Sequence, residues 1–172
     1  MRSTKQLMVA VFVSVALRAV ALEPGDVLGT WRLLSATSTV VATGEKTNSY
    51  GSDYSGFLTY GKDGRMSAIL IYGARPKPSD LTKVTNEERL QLYRTMIAYA
   101  GTFSLEGTTV THHIDISSNE TWTGTAQVRN VKFEGATLVI TTPAQPRSID
   151  GLVSVGELKW AKVKDALPAS SK

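Results

Sequence analysis

Cysteine is absent from the sequence, and its absence excludes several kinds of chemistry at once. A chain of 172 residues with no cysteine has no disulfide, no thiol nucleophile, no iron–sulfur cluster and no thiolate zinc site. Histidine is almost as rare. The sequence has only two, His112 and His113, and they are adjacent. Neighbouring residues of a strand point to opposite faces, so if both histidines lie in a strand the pair gives poor support for a metal site. Neither a metal nor another cofactor is predicted.

Other signatures of enzymes and of nucleic-acid binding are also missing. The sequence contains no Gly-x-Ser-x-Gly nucleophile elbow and no phosphate-cradling loop or dinucleotide fingerprint. The net charge of +4 comes from 19 basic and 15 acidic residues, and three of the basic ones, Arg2, Lys5 and Arg18, lie in the first 21. The remaining chain is nearly neutral and has no clustered basic face, so a nucleic-acid partner is not predicted.

The first 21 residues have the pattern of a signal peptide. A basic start precedes the apolar run Leu7–Leu17, and Ala19-Val20-Ala21 is the small-x-small pattern that signal peptidase cleaves. We therefore expect cleavage after Ala21 and export to the periplasm or the medium. The alternative is an uncleaved N-terminal anchor. After cleavage no segment is long and apolar enough to predict a transmembrane span.

The rest of the chain, residues 22–172, is predicted to form a single domain, because its composition does not change along its length. From Gly29 onward apolar and polar residues alternate mostly with period two, which is typical of strands. About eight strands with short turns predict a mainly β fold, either a closed barrel or a sandwich. The predicted strands are residues 30–40, 57–60, 66–72, 102–105, 109–117, 125–133, 137–142 and 153–163.

One helix interrupts the strands, and it is predicted over residues 85–98. Thr85 and Glu88 form the Thr-x-x-Glu capping box at its start. Apolar residues follow with helical spacing, and Leu92, Met96 and Tyr99 form a second stripe beside the first. So broad an apolar face favours packing across a barrel end or against a partner, for which a second copy of the chain is one candidate.

Gly29-Thr30-Trp31, at the start of the first strand, resembles the Gly-x-Trp signature of lipocalins. Most of residues 29–163 is similar to a divergent bacterial and fungal group, the lipocalin-like domain proteins. The resemblance implies a single antiparallel eight-stranded lipocalin-like barrel with one inserted helix, closed at one end by Trp31 and Trp160. It also implies a small hydrophobic ligand in the lumen. The other stretches that carry it are Leu58-Thr59-Tyr60, Asp63-Gly64-Arg65-Met66, Tyr99-Ala100-Gly101-Thr102-Phe103, Val110-Thr111-His112-His113, Trp122-Thr123-Gly124, Gln127-Val128-Arg129 and Leu158-Lys159-Trp160.

His112 is the first candidate for a ligand-binding residue. Strand alternation places it on one face with Val110, Ile114 and Ile116, so it is expected to point into the barrel. There it is either a structural histidine satisfied by hydrogen bonds or a group that binds or exchanges a proton with a ligand.

Arg129 is the second candidate, on a face with Gln127, Val131 and Phe133. An inward arginine needs an anionic partner: Glu157, Asp115, or a ligand carboxylate held bidentately. If the register is shifted by one residue, Arg129 instead faces solvent.

Three aromatic residues complete the predicted site. Trp122 lies in a loop beside Gly124 and either closes over a ligand or caps the edge of the barrel. Tyr60 and Tyr72 are expected to add hydroxyl groups to the lumen.

Three functions are consistent with these features. The leading hypothesis is an exported barrel that binds a small, largely apolar molecule with a polar or anionic head near His112 and Arg129. The second is an isomerase or cyclase that uses the same lumen, with His112 as acid–base and Arg129 as charge stabiliser. The third is an interaction module that dimerises through the helix.

Overall fold

Antiparallel strands build most of the chain in the computed structural model, which describes residues 22–146 and 151–164. The predicted signal peptide, residues 1–21, lies outside the described residues. Within the described ranges two α-helices accompany the strands, α1 (Pro24–Val27) and α2 (Asn86–Arg94), and Leu81–Lys83 and Glu120–Trp122 form single 3-10 turns. The strands are β1 (Gly29–Val40), β2 (Lys46–Asn48), β3 (Tyr54–Tyr60), β4 (Arg65–Tyr72), β5 (Met96–Glu106), β6 (Thr109–Ser117), β7 (Ala126–Glu134), β8 (Thr137–Thr141), β9 (Gln145–Pro146) and β10 (Val153–Lys162).

Eight of these strands close into a barrel. They follow one another in the order β1, β3, β4, β5, β6, β7, β8 and β10, and β10 pairs back onto β1 from Trp31 to Val40. The two short strands lie beside this barrel, β2 on β1 and β9 on β10. The predicted eight-stranded antiparallel barrel is therefore confirmed. Closure leaves no open edge among the eight strands, which removes the main route to edge-to-edge aggregation.

Tight turns join three pairs of barrel strands as predicted: β3–β4, β5–β6 and β7–β8. Between β3 and β4 the chain reverses at Asp63-Gly64, where Gly64 has a φ of 77°. That left-handed conformation costs glycine little and most other residues considerably more. The Asp63 carboxylate accepts a hydrogen bond from the Arg65 amide at 3.1 Å, which holds the turn closed.

The inserted helix starts where predicted but ends four residues early. The Thr85 hydroxyl accepts from the Glu88 amide at 3.2 Å, and the Glu88 carboxylate accepts from the Thr85 amide at 2.8 Å, which confirms the capping box. α2 ends at Arg94 because the next residues join the ladder of β4, where Met96 pairs with Ile71. Within the described residues, no helix is long and apolar enough to cross a bilayer.

This early end corrects the predicted dimer surface. Met96 and Tyr99 belong to β5, so they do not share a helix face with Leu92. None of the residues of α2 is buried, and Tyr99 packs against the barrel core. When these residues pair with β4, their backbone groups form hydrogen bonds and their apolar side chains are buried. This tertiary stabilisation outweighs the preference for a helix, which is only weak.

A bulge between β5 and β6 corrects a second prediction. Gly101 pairs with Ile114 and Ala100 with Ile116, so the ladder skips Asp115. The strands approach so closely there that a Cβ on Gly101 would collide with the carbonyl oxygen of His113, a place where only glycine fits. The extra residue turns Ile116 outward, and it is 66% exposed instead of facing the lumen.

One end of the barrel interior is filled by side chains, and we call it the packed end. Trp31 is its largest member, and its indole N–H donates to the Val27 carbonyl oxygen at 2.7 Å. The Trp31 ring lies 5.9 Å from that of Phe133. Val110 and Leu138 beside them are fully buried. Trp31 therefore closes this end, as the resemblance to lipocalins implied.

Candidate functional site

The other end of the barrel interior holds a cavity of about 270 Å³, and we call it the cavity end. Its volume is close to the lower limit for small-molecule sites in proteins. Much of its wall is aliphatic, with contributions from β3, β4, β5, β8 and β10. These aliphatic residues are Leu58, Ala68, Leu70, Ile97, Ile140 and Leu158.

His112 points into the barrel from β6 and is 2% exposed. Its Nε2 lies 2.7 Å from the Tyr60 hydroxyl, and its Nδ1 lies 3.1 Å from the Tyr99 hydroxyl. Burial, with a smaller contribution from the nearby charge of Arg129, lowers the pKa of His112 from 6.5 to about 3. His112 is therefore neutral at physiological pH, with both ring nitrogens engaged. His113 points the opposite way, toward solvent, as strand alternation predicted.

The tyrosines around this histidine keep their protons. Burial raises the pKa of Tyr50 to about 12 and that of Tyr60 well above its usual value. Burial also raises the pKa of Tyr99, and the positive charge of Arg129 opposes the shift at all three residues. These side chains therefore act as neutral hydroxyl groups at physiological pH.

Arg129 lines the cavity from β7, so the register that would place it in solvent is not the one adopted. Its guanidinium donates to the Val128 carbonyl at 2.8 Å and to the Gln127 amide oxygen at 3.2 Å. The two carboxylates considered as partners bind elsewhere: Asp115 pairs with Arg65 at 2.9 Å, and Glu157 with Lys46 at 3.6 Å. No carboxylate among the described residues forms an ion pair with Arg129.

Two tryptophans complete the cavity wall. Trp122 reaches it from the Glu120–Trp122 turn, with its ring edge-on to Tyr99 at 5.8 Å. Trp160 is buried as expected, yet it forms part of the cavity wall and not only of the packed end. The Trp160 indole N–H has no hydrogen-bond partner among the described residues. Most buried polar groups are paired, so this donor stands out.

The barrel, the Gly-x-Trp start and the cavity agree with a comparison against protein families. The family model described as a lipocalin-like domain matches residues 28–163. This chain belongs to the lipocalin-like domain family. A comparison with curated proteins finds none that matches the sequence. At the level of the family, the lipocalin-like barrel indicates small-molecule binding.

The lipocalin-like barrel brings four of the six predicted site residues to one cavity. His112, Trp122, Gln127 and Arg129 all line it, although no ligand contact tests their role. Tyr60, whose hydroxyl was expected in the lumen, is not among the described residues that line the cavity, and its hydroxyl lies 2.7 Å from Nε2 of His112, which does line it.

Tyr72 does not supply a hydroxyl to the lumen, contrary to expectation. Its hydroxyl donates to the Arg94 carbonyl at 2.7 Å, at the end of α2. The Tyr72 ring instead stacks on Tyr50 at 4.7 Å, and Tyr50 is the residue that lines the cavity of this lipocalin-like barrel. Tyr72 lies at the last position of β4, beside the end of α2. Its hydrogen bond to Arg94 fixes the direction of its hydroxyl.

Sequence reasoning missed Tyr50 and Tyr99 as cavity residues. Tyr99 shares one face of β5 with Ile97 and Phe103, an alternation visible in the sequence once the helix is ended at Arg94. Tyr50 follows β2 in an irregular segment, and no periodicity marks such a residue. Its place in the wall depends on how β2 folds back onto β1 in the lipocalin-like barrel.

Proposed function

We propose that this protein is an exported barrel that binds a small, largely apolar molecule, with the polar head of that molecule at Arg129 and Gln127. One observation carries the proposal: a guanidinium lines a partly aliphatic cavity and has no carboxylate partner among the described residues. Arg129 is half-buried, and even partial removal of an unpaired charge from water is costly. A ligand that brings an acceptor to Arg129 offsets that cost, and the aliphatic wall binds the rest of the molecule by the hydrophobic effect.

A chemical role for His112 has less support than binding. Its pKa of about 3 leaves it unprotonated at neutral pH, so it is a poor acid, and a base this weak accepts protons poorly. Both of its nitrogens are already bonded to tyrosines. Binding needs neither a free nitrogen nor a titratable one.

The ligand proposal is tested by what the purified protein carries. The mature protein is extracted into organic solvent and the extract analysed by mass spectrometry, beside Arg129→Met and Arg32→Met. Arg32 is an exposed arginine on β1 and serves as the matched control. We expect one discrete molecule in the wild type and in Arg32→Met, and about tenfold less in Arg129→Met. Equal amounts in all three proteins, or none in the wild type, would count against the proposal.

Export is tested separately, because a barrel can bind a ligand in any compartment. The full chain is expressed in a bacterium, and the periplasmic fraction is analysed by intact mass. We expect a product that begins at Leu22, as the Ala19-Val20-Ala21 pattern predicts. A full-length product confined to the membrane fraction would instead support the uncleaved anchor.

A further inference from the structure

His112 connects two tyrosine hydroxyls, and only one of them reaches the cavity. Tyr60 is buried, with 1% of its surface exposed, and His112 is its only hydrogen-bond partner among the described residues. Tyr99 contacts the other ring nitrogen and lines the cavity. A neutral imidazole carries one N–H, so one of its nitrogens donates and the other accepts. The three side chains therefore have two possible arrangements of hydrogens.

In the first arrangement the Tyr60 hydroxyl donates to Nε2, and Nδ1–H donates to the Tyr99 oxygen. Every buried hydrogen then has an acceptor, and the Tyr99 hydrogen is left for the cavity. In the second, Tyr99 donates to Nδ1 and Nε2–H donates to Tyr60, which leaves the Tyr60 hydrogen buried without an acceptor. An unsatisfied buried donor is destabilising, so the first arrangement is favoured.

We propose that Tyr60 and His112 hold Tyr99 as a hydrogen-bond donor toward the cavity, where Tyr99 and Arg129 together select a ligand with a carboxylate head. The proposal rests on the proposed function and specifies the ligand class for the same cavity. Tyr60 and His112 are positioning residues in this scheme, because they act through Tyr99.

Among the other polar groups of the wall, Gln127 and Trp160 favour a ligand that accepts hydrogen bonds, whereas Thr142 accepts from the Gly156 amide at 2.9 Å and Gln145 can donate or accept. Gln127 turns its amide oxygen to Arg129 at 3.2 Å, so its main acceptor is already used. The buried Trp160 N–H, without a partner among the described residues, adds another donor to the wall. A carboxylate is acceptor-only and negatively charged, and hydrogen bonds to a charged group are about twice as strong as neutral ones. An ammonium head would meet the positive charge of Arg129.

The ligand class is tested by calorimetric titration of the mature chain at neutral pH with octanoate, octan-1-ol and octylamine. These probes share one chain and differ only in the head. We expect octanoate to bind at least about tenfold more tightly than the alcohol, and the amine to bind most weakly. We expect Tyr99→Phe to weaken octanoate binding about fivefold and to leave octan-1-ol binding unchanged. Tyr93→Phe removes a hydroxyl that donates to the Ser118 carbonyl outside the cavity and is the matched control.

The arrangement of hydrogens is tested without any substitution. Nitrogen chemical shifts of His112 in the isotope-labelled protein distinguish a ring protonated at Nδ1 from one protonated at Nε2. We expect the Nδ1–H form at neutral pH, and Tyr60→Phe should weaken that preference because Nε2 loses its donor. A wild-type ring protonated at Nε2 would overturn the role of Tyr60 and His112.

The outcomes separate the two proposals. Equal affinity for all three probes would overturn the carboxylate preference and leave the proposed binding function in place. Selective octanoate binding that Tyr99→Phe does not alter would overturn the role of Tyr99 alone. No binding of any probe, together with no co-purified molecule, would overturn both.

Discussion

The two ends of the barrel interior are built from the same strands and differ in how their polar groups are satisfied. At the packed end the indole N–H of Trp31 is bonded to Val27, and apolar side chains fill the space around it. At the cavity end, Arg129 lacks a carboxylate and Trp160 an acceptor among the described residues. Complete satisfaction is typical of a region that stabilises the fold. Polar groups without partners in a concave site are typical of a region that binds a ligand.

Strand β7 shows how one element serves both ends. Its inward residues are Gln127 and Arg129 at the cavity end, then Val131 and Phe133 at the packed end. The alternation of faces is the same along the strand, and only the chemistry of the inward side chains changes. Stability and binding are therefore expected to respond to different substitutions.

The largest predicted effect is at the packed end. Trp31→Ala removes a buried ring and leaves the Val27 carbonyl without its donor. We expect the free energy of unfolding to fall by about 3–5 kcal/mol, as measured by denaturant titration. Trp122→Ala, at the half-buried cavity wall, is the matched control and should cost less than about 1 kcal/mol. Similar losses for the two variants would mean that both ends contribute alike to stability.

The second effect is a pH dependence of stability that arises where the two ends meet. His112 has a pKa of about 3 when folded and 6.5 as its ordinary value, so below pH 6.5 the unfolded chain binds a proton that the folded chain does not. The contribution of His112 to the free energy of unfolding is therefore fully present above pH 6.5. It falls as the pH falls toward 3, by up to about 1.4 kcal/mol per pH unit. Chemical denaturation at a series of pH values measures the slope.

The assignment of that slope to His112 has its own control. His112→Gln should flatten the slope between about pH 6.5 and 4.5, above the range in which Glu134 titrates. Two lysines lower the pKa of Glu134 from 4.5 to about 2, so its stabilising contribution is lost only in more acidic solution. His113→Asn, on the outer face, should keep the wild-type slope. A slope that disappears with His113 and not with His112 would refute the assignment.

The smallest predicted effect concerns the free energy of unfolding of two arginine variants, Arg129→Met and Arg65→Met. Arg129→Met replaces a guanidinium without a carboxylate partner among the described residues by an apolar side chain of similar length. We expect the free energy of unfolding to stay unchanged or to rise by up to about 1 kcal/mol, while ligand binding falls. Arg65→Met breaks the 2.9 Å ion pair with Asp115 on the surface and should lower stability by less than about 1 kcal/mol. Clear destabilisation by Arg129→Met would show that Arg129 has a structural role.

Much of the barrel is predictable from the sequence because strand alternation is a local property. β6 was predicted with its observed bounds, and the capping box correctly marked the start of α2. The end of α2 was not predictable, since helical spacing continued into residues that pair with β4. The outward turn of Ile116 was missed for a similar reason: one skipped residue in the ladder reverses every face beyond it.

The candidate site divides in the same way. Alternation predicted an inward face for His112. For Arg129 it left the inward and outward registers open, and the pairing of β7 with β6 and β8 decided between them. The inward face of Tyr99 follows from alternation only once α2 is known to end at Arg94. The direction of the Tyr72 hydroxyl and the position of Tyr50 could not be read from the sequence. They depend on contacts between residues far apart in the chain, such as the stack of Tyr50 on Tyr72.

The sequence by itself determined the cysteine-free mainly β domain, its resemblance to lipocalin-like proteins and the faces of most strands, because period and turn chemistry act over a few residues. Only the tertiary structure decided which inward polar groups would be satisfied. In the folded barrel the Trp31 indole donates to Val27, and Asp115 and Glu157 form ion pairs with Arg65 and Lys46 on the surface. Arg129 therefore faces the cavity without either carboxylate. Whether an inward charge finds a partner depends on distances of a few ångströms between strands, and no local pattern in the sequence encodes these distances.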